Sequence, residues 1–131
     1  MLKPDQFDVN EAWIIFRLND APITTEADGD FNVLCLMDAA SCYILGNEFI
    51  PTHSAGVPEL VAKRLIEAGM SQAQKLPQKL LLSLELEPGQ FAELAEGCGA
   101  EVSRVPEDEL SAFTLEAREG FQAYIGGGRV Q

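Results

Sequence analysis

Asp38 follows the apolar run FNVLCLM and is the second residue of the stretch MDAASCYILG. A carboxylate delivered by a buried strand is usually one of two things, a ligand for a divalent cation or the first residue of a turn. Carboxylate oxygens suit hard cations. Asp at the first position of a type I turn instead accepts hydrogen bonds from its own turn's amides. With Ala39-Ala40 at the centre and Ser41 following, the turn chemistry is favourable, so Asp38 and Ser41 are read as structural turn residues. Glu85 and Glu87 alternate near the end of KLLLSLELEP, and alternation along a strand points both the same way. The plainer reading is a solvated strand exit, with Glu87 as the acid at a helix start. Asp20, Glu26, Asp28 and Asp30 cluster in NDAPITTEADGD. They lack the regular acid spacing and distal Glu of a calcium loop, so they are read as a solvated acidic loop.

Nucleophile and base chemistry finds no assembled pattern. His53, the only histidine, lies in PTHS, with no recognisable carboxylate and nucleophile beside it. Ser41 and Ser54 are outside any G-x-S-x-G elbow. Cys35, Cys42 and Cys98 are an odd number without CxxC spacing, so neither a disulfide framework nor a zinc site is expected. They read as small core hydrophobes of a reducing compartment. GGGR comes after the last predicted helix, which is the wrong place for a phosphate loop. No cofactor is expected.

The 131 residues suffice for one domain with a sizeable core. Nine Lys+Arg against 21 Asp+Glu give a net charge of −12, with Lys63-Arg64 the only adjacent basic pair. Binding a polyanion requires several phosphates to be neutralised, so nucleic acid is a disfavoured partner. No stretch approaches the run of about 20 apolar residues that a membrane span needs. The start, MLKPDQFDVNEAW, has no apolar run of the signal-peptide kind, and a cytoplasmic location is expected.

The elements that must position these side chains follow from periodicity. Residues 1–10 read as an arm or short lead-in. Ala12–Leu18 (AWIIFRL) is aromatic and β-branched and predicts a strand buried on both faces. Asn19–Asp30 predicts a loop, and Phe31–Met37 and Cys42–Ile50 predict the second and third strands. Val57–Met70 has Pro58 early and Gly69 near its end, with Val57, Val61, Leu65 and Ala68 as one helical stripe. Lys79–Leu86 predicts a fourth strand. A short helix from Pro88 carries Phe91, Leu94, Ala95 and Cys98 on one face and is bracketed by Gly97 and Gly99. Glu101–Val105 predicts a fifth strand. A last helix is expected from near Glu107, with Leu110, Phe113, Thr114, Ala117, Phe121 and Tyr124 inward, and 126–131 as a flexible tail. The order is β-β-β-α-β-α-β-α in one domain. Short early loops imply an antiparallel meander, and the later alternation with helices implies parallel pairing. The fold class expected is α/β, a mixed five-stranded sheet.

That order, with AWIIF, VLCLMDAASCYILGNEFIP, KLPQKLLLSLELEPGQF and CGAEVSRVP, resembles ribonuclease H-like domains, in particular retroviral-type integrase and transposase cores. The resemblance runs from about Trp13 to Phe121. It implies three carboxylates around two metal ions that cleave or join phosphodiesters. Carried over by residue, the first acid falls at or beside Phe16, which cannot ligate a hard cation, and no residue from Ala12 to Leu18 is acidic. The second falls at Ser83, with Glu85 as the nearby substitute, and the third at Glu109 or Glu116.

The resemblance therefore implies a domain degenerate in its catalytic acids. The expected function is a non-catalytic protein-interaction or scaffold role, with a second copy of the chain among the partners considered. One alternative is a metal-dependent phosphodiester hydrolase with a displaced site at Glu85, Glu116 and Asp20. The other is a small-molecule binding module.

Overall fold

The computed structural model describes all residues except 20, 21, 26–28, 53–55, 88, 90 and 131, with the side chains of residue 25 and residues 124–130 also outside the description. Six strands and three α-helices are present among the described residues, in the order β1 (Ala12–Arg17), β2 (Ile23–Thr25), β3 (Gly29–Asp38), β4 (Ile44–Pro51), α1 (Glu59–Ala73), β5 (Lys79–Ser83), α2 (Phe91–Gly97), β6 (Glu101–Val105) and α3 (Ser111–Val130). The sheet thus has six strands where five were expected. The extra one, β2, is a three-residue strand inside the predicted loop, too short to carry an alternation that a sequence pattern could reveal.

β3 is the branch point of the sheet. Its Leu34–Asp38 half pairs antiparallel with β1, its Gly29–Phe31 end pairs with β2, and Phe31–Met37 pair with β4. Leu34–Met37 are shared between β1 and β4, so those two strands lie on opposite edges of β3. β1 then pairs parallel with β5, and β5 parallel with β6. The expected combination of an early antiparallel meander with later parallel strands is present, as a mixed α/β sheet.

The sheet separates two apolar clusters. On one face Trp13, Ile15, Leu34, Leu36, Leu80 and Leu82 pack against Val61, Leu65, Phe91 and Ala95 of α1 and α2. On the other Ile14, Phe16, Cys35, Met37 and Leu81 meet Leu110 and Phe113. Every residue from Ala12 to Phe16 is at most 1% exposed, which is why that strand reads as continuously apolar. Residues 1–10, expected as an arm or short lead-in, dock two side chains on the sheet. Leu2 and Phe7 pack on the second cluster, and the Phe7 ring meets Phe113 edge-on at 6.2 Å.

Element ends differ from the expectation for identifiable reasons. α1 runs past Gly69 to Ala73 and is capped by Gln74 in the left-handed region. Gly69 is therefore not a cap; a Cβ there would lie 2.5 Å from the Trp13 ring. β5 ends at Ser83, not Leu86, so Glu85 lies in a turn. A 3-10 turn occupies Glu107–Leu110 before α3 begins at Ser111, and α3 extends to Val130, through most of the segment expected as a tail. No helix among the described residues is long and apolar enough to cross a membrane.

Candidate functional site

The carboxyl ends of the parallel strands β1, β5 and β6 share one end of the sheet, and two of the positions that the resemblance assigns to catalysis, Phe16 and Ser83, lie there. Phe16 and Ser83 are fully buried. Val105 closes β6, and the next residues turn Glu107 back toward the sheet. The Ser83 hydroxyl donates to Glu107 Oε2 and accepts from the Glu85 amide at 3.2 Å.

A guanidinium from α3 dominates this place. Arg118 lies over the Phe16 ring, 5.6 Å from its centroid. It donates to the Arg17 carbonyl from Nε at 3.0 Å and from a terminal nitrogen at 2.8 Å. It also forms an ion pair with Glu107, and both side chains are about four-fifths buried (17% and 21% exposed). One cation is thus held by an aromatic face, a carbonyl and a carboxylate. Arg17 points its own side chain elsewhere, reaching Glu85 at 3.9 Å.

Two metal ions do not fit this arrangement. The position that the resemblance gives the first ligand, Phe16, is an apolar ring with a positive charge seated on it. The carboxylate at hand, Glu107, already answers Arg118 and Ser83. A divalent cation placed there would meet Arg118 at close range without the oxygens needed to offset the repulsion. Among the described residues no group of three His, Cys, Asp or Glu side chains is placed to hold a metal.

Of the residues of the displaced-site alternative, Glu85 and Glu116 are not brought together. Glu85 stands beside Arg17, whereas Glu116 lines a cavity against the β3–β4 hairpin. Asp20 lies outside the described residues, as do His53, Ser54, Glu26 and Asp28. Glu109 lies in the 3-10 turn. Sequence reasoning missed both Arg118 and Glu107. Eleven residues separate them, about 16 Å along one continuous helix; Glu107 instead lies in the 3-10 turn that precedes α3.

Asp38 lies at the opposite end of β1, paired with Trp13. Its carboxylate is buried and accepts from the Asn10 amide at 2.7 Å, the Ser41 amide at 3.0 Å and the Ser41 hydroxyl at 2.7 Å. Asn10 in turn accepts from the Trp13 indole at 2.6 Å and donates to the Lys75 carbonyl at 3.1 Å. The hairpin, the N-terminal lead-in and the end of α1 are therefore tied to one carboxylate. Cys42, with φ +59°, follows in the hairpin. Its thiol is pushed up by burial and by the charges of Glu116 and Asp38. Cys35 is buried and Cys98 exposed; all three are free thiols.

Two open cavities flank this hairpin. One, of about 200 Å³, is bordered by Val9, Asn10, Asp38, Tyr43, Leu45 and Ala73. The other, of about 320 Å³, lies between the hairpin and α3.

No family model matches the chain, and no curated protein matches it. Among solved structures, it is similar to a chain in the cryoEM structure of the simian T-cell lymphotropic virus intasome in complex with the PP2A regulatory subunit B56 gamma. The TM-score is 0.44 and the identity 7%; the match covers 92% of this chain and 43% of that one.

Proposed function

We propose that this chain is one ribonuclease H-like domain that has no metal-dependent catalysis and works as a protein-interaction or scaffold module. The fold part is supported by the element order. With the short β2 set aside, it is the β-β-β-α-β-α-β-α series of that superfamily. The functional part is carried by Arg118 seated on Phe16, a fixed positive charge where a two-metal enzyme needs negative ligands. The net charge of −12 fits a protein partner better than a nucleic acid. Three free thiols fit a reducing cytoplasm.

The test is thermal melting with and without millimolar magnesium or manganese, alongside a labelled-oligonucleotide cleavage assay. The expected outcome is an unchanged melting temperature and no cleavage. A metal-dependent rise of several degrees would establish a bound cation and sink the proposal. Phe16→Asp supplies the missing acid and sharpens the test. Burying a carboxylate in place of the ring costs about 3–5 kcal/mol, and with Arg118 beside it the variant acquires no metal response.

A further inference from the structure

β4 carries apolar residues on both faces, with the exposed Asn47 between Ile44 and Phe49 on one of them, and the described residues cover only the other face. Its Leu45 and Ile50 pack into the cluster beneath α1, and Gly46 lies so close to α1 that a Cβ there would stand 2.8 Å from Ala68 Cβ. The register places Ile44 opposite Met37 and Phe49 opposite Val33, on the α3 side. Met37 and Val33 are buried there, yet Ile44 and Phe49 are 39% and 63% exposed. α3 therefore covers β3 and stops short of β4. Between them lies the 320 Å³ cavity, lined by Met37, Cys42, Ile44, Ala112, Ala117 and Glu116, among others.

We propose that this groove docks the apolar side of a basic amphipathic helix from a partner protein. The inference rests on the scaffold reading above and names the partner's chemistry. A helix laid beside α3 at the usual 8–10 Å axis separation would cover β4 and fill the groove. The charge selects its character: among the described residues Glu116 is the one charged residue lining the cavity, and no Lys or Arg lines it. A second copy of the chain would bring another −12 and another Glu116 to the same surface. An added strand is disfavoured by the bulge between Leu36 and Met37 and by Pro51 at the end of β4, devices that blunt sheet edges.

The probe is a synthetic, end-blocked Leu/Lys amphipathic helix of about 18 residues, titrated by fluorescence anisotropy against the full chain. Controls are the same composition scrambled to remove the apolar face, and a Leu/Glu counterpart. Ile44→Asp and Phe49→Asp, both at exposed positions and checked for unchanged melting, should each weaken binding about tenfold or more by setting a carboxylate against apolar surface. Glu116→Gln should weaken it about threefold and flatten its salt dependence. Equal binding of the scrambled peptide, or affinity indifferent to both Asp variants, overturns the proposal. So does wild-type dimerisation in sedimentation equilibrium that Phe49→Asp abolishes, which would make a second copy the occupant. Metal response is read on the same samples, so failure of the groove is distinguishable from failure of the non-catalytic reading.

Discussion

Arg118 holds three groups at once, the Phe16 face, the Arg17 carbonyl and the Glu107 carboxylate, and the cost of losing it can be bounded. Removing one member of a buried pair leaves the other uncompensated, which costs several kcal/mol. Both partners retain about a fifth of their exposure, and solvent screening reduces the figure. Arg118→Met is therefore expected to lose about 2–4 kcal/mol, measured by urea denaturation. Glu107→Leu in the same chain should restore part of the loss, because the stranded charge goes with it. A single-variant loss below about 0.5 kcal/mol would mean that the pair is no stronger than a surface one. This is the residue-level reason that the site is read as structural: its charges answer one another. Phe16 was visible in the sequence as the wrong residue for a metal. The guanidinium that takes advantage of it was not, because contact between positions 16 and 118 depends on tertiary packing alone.

At the scale of elements, α1 is pressed onto the sheet at two glycines, one on each side of the contact. Gly46 of β4 admits Ala68, and Gly69 of α1 admits the edge of the Trp13 indole. In an exposed helix, Gly→Ala gains about 1 kcal/mol from propensity. Here the added methyl would sit 2.5 Å from two Trp13 ring atoms, and Trp13 is pinned by its bond to Asn10. Overpacking should outweigh propensity, so Gly69→Ala is expected to destabilise by about 1–3 kcal/mol in a urea titration; a stabilised variant would show that the interface yields. This glycine also marks where sequence legibility ended. A Gly near the end of an amphipathic stripe reads as a stop signal, but the helix continues to Ala73 and uses Gln74 in its place. Strands with strong local character were readable: Glu101–Val105 is β6 as expected, and AWIIF lies in β1. β2 and the end of β5 were not, since three residues of β2 carry no period and LEL after Ser83 keeps a strand-like alternation while the chain already turns. The pairing of Asp38 with Asn10 and Ser41 was half legible. The local Asx chemistry is written in D-A-A-S, whereas the Asn10 amide arrives from 28 residues away.

For the molecule as a whole, the sheet leaves two cores with different closures, α1 and α2 over one, α3 and the N-terminal residues Leu2 and Phe7 over the other. The second core contains Cys35, fully buried among Phe16, Met37 and Phe113 as cluster neighbours. Burial pushes its thiol from an ordinary value of 9.0 up to about 12. The folded chain therefore keeps that proton over a range in which the unfolded chain releases it. By linkage, stability falls with rising pH wherever the native state binds more protons. The contribution of Cys35 is thus fully present below pH 9.0 and lost as pH rises toward about 12. Its slope approaches about 1.4 kcal/mol per pH unit within that window. Groups other than Cys35 contribute equally to both chains, so the informative quantity is the difference from Cys35→Ala. That variant pays a constant packing cost from the lost sulfur, but it lacks the thiol's alkaline term. The gap in unfolding free energy between wild type and variant should be constant from pH 6 to 8 and close as the pH passes 9, with the wild type losing stability faster. Parallel curves up to pH 11 would mean that water reaches Cys35 and that the core beneath α3 is looser than its packing indicates.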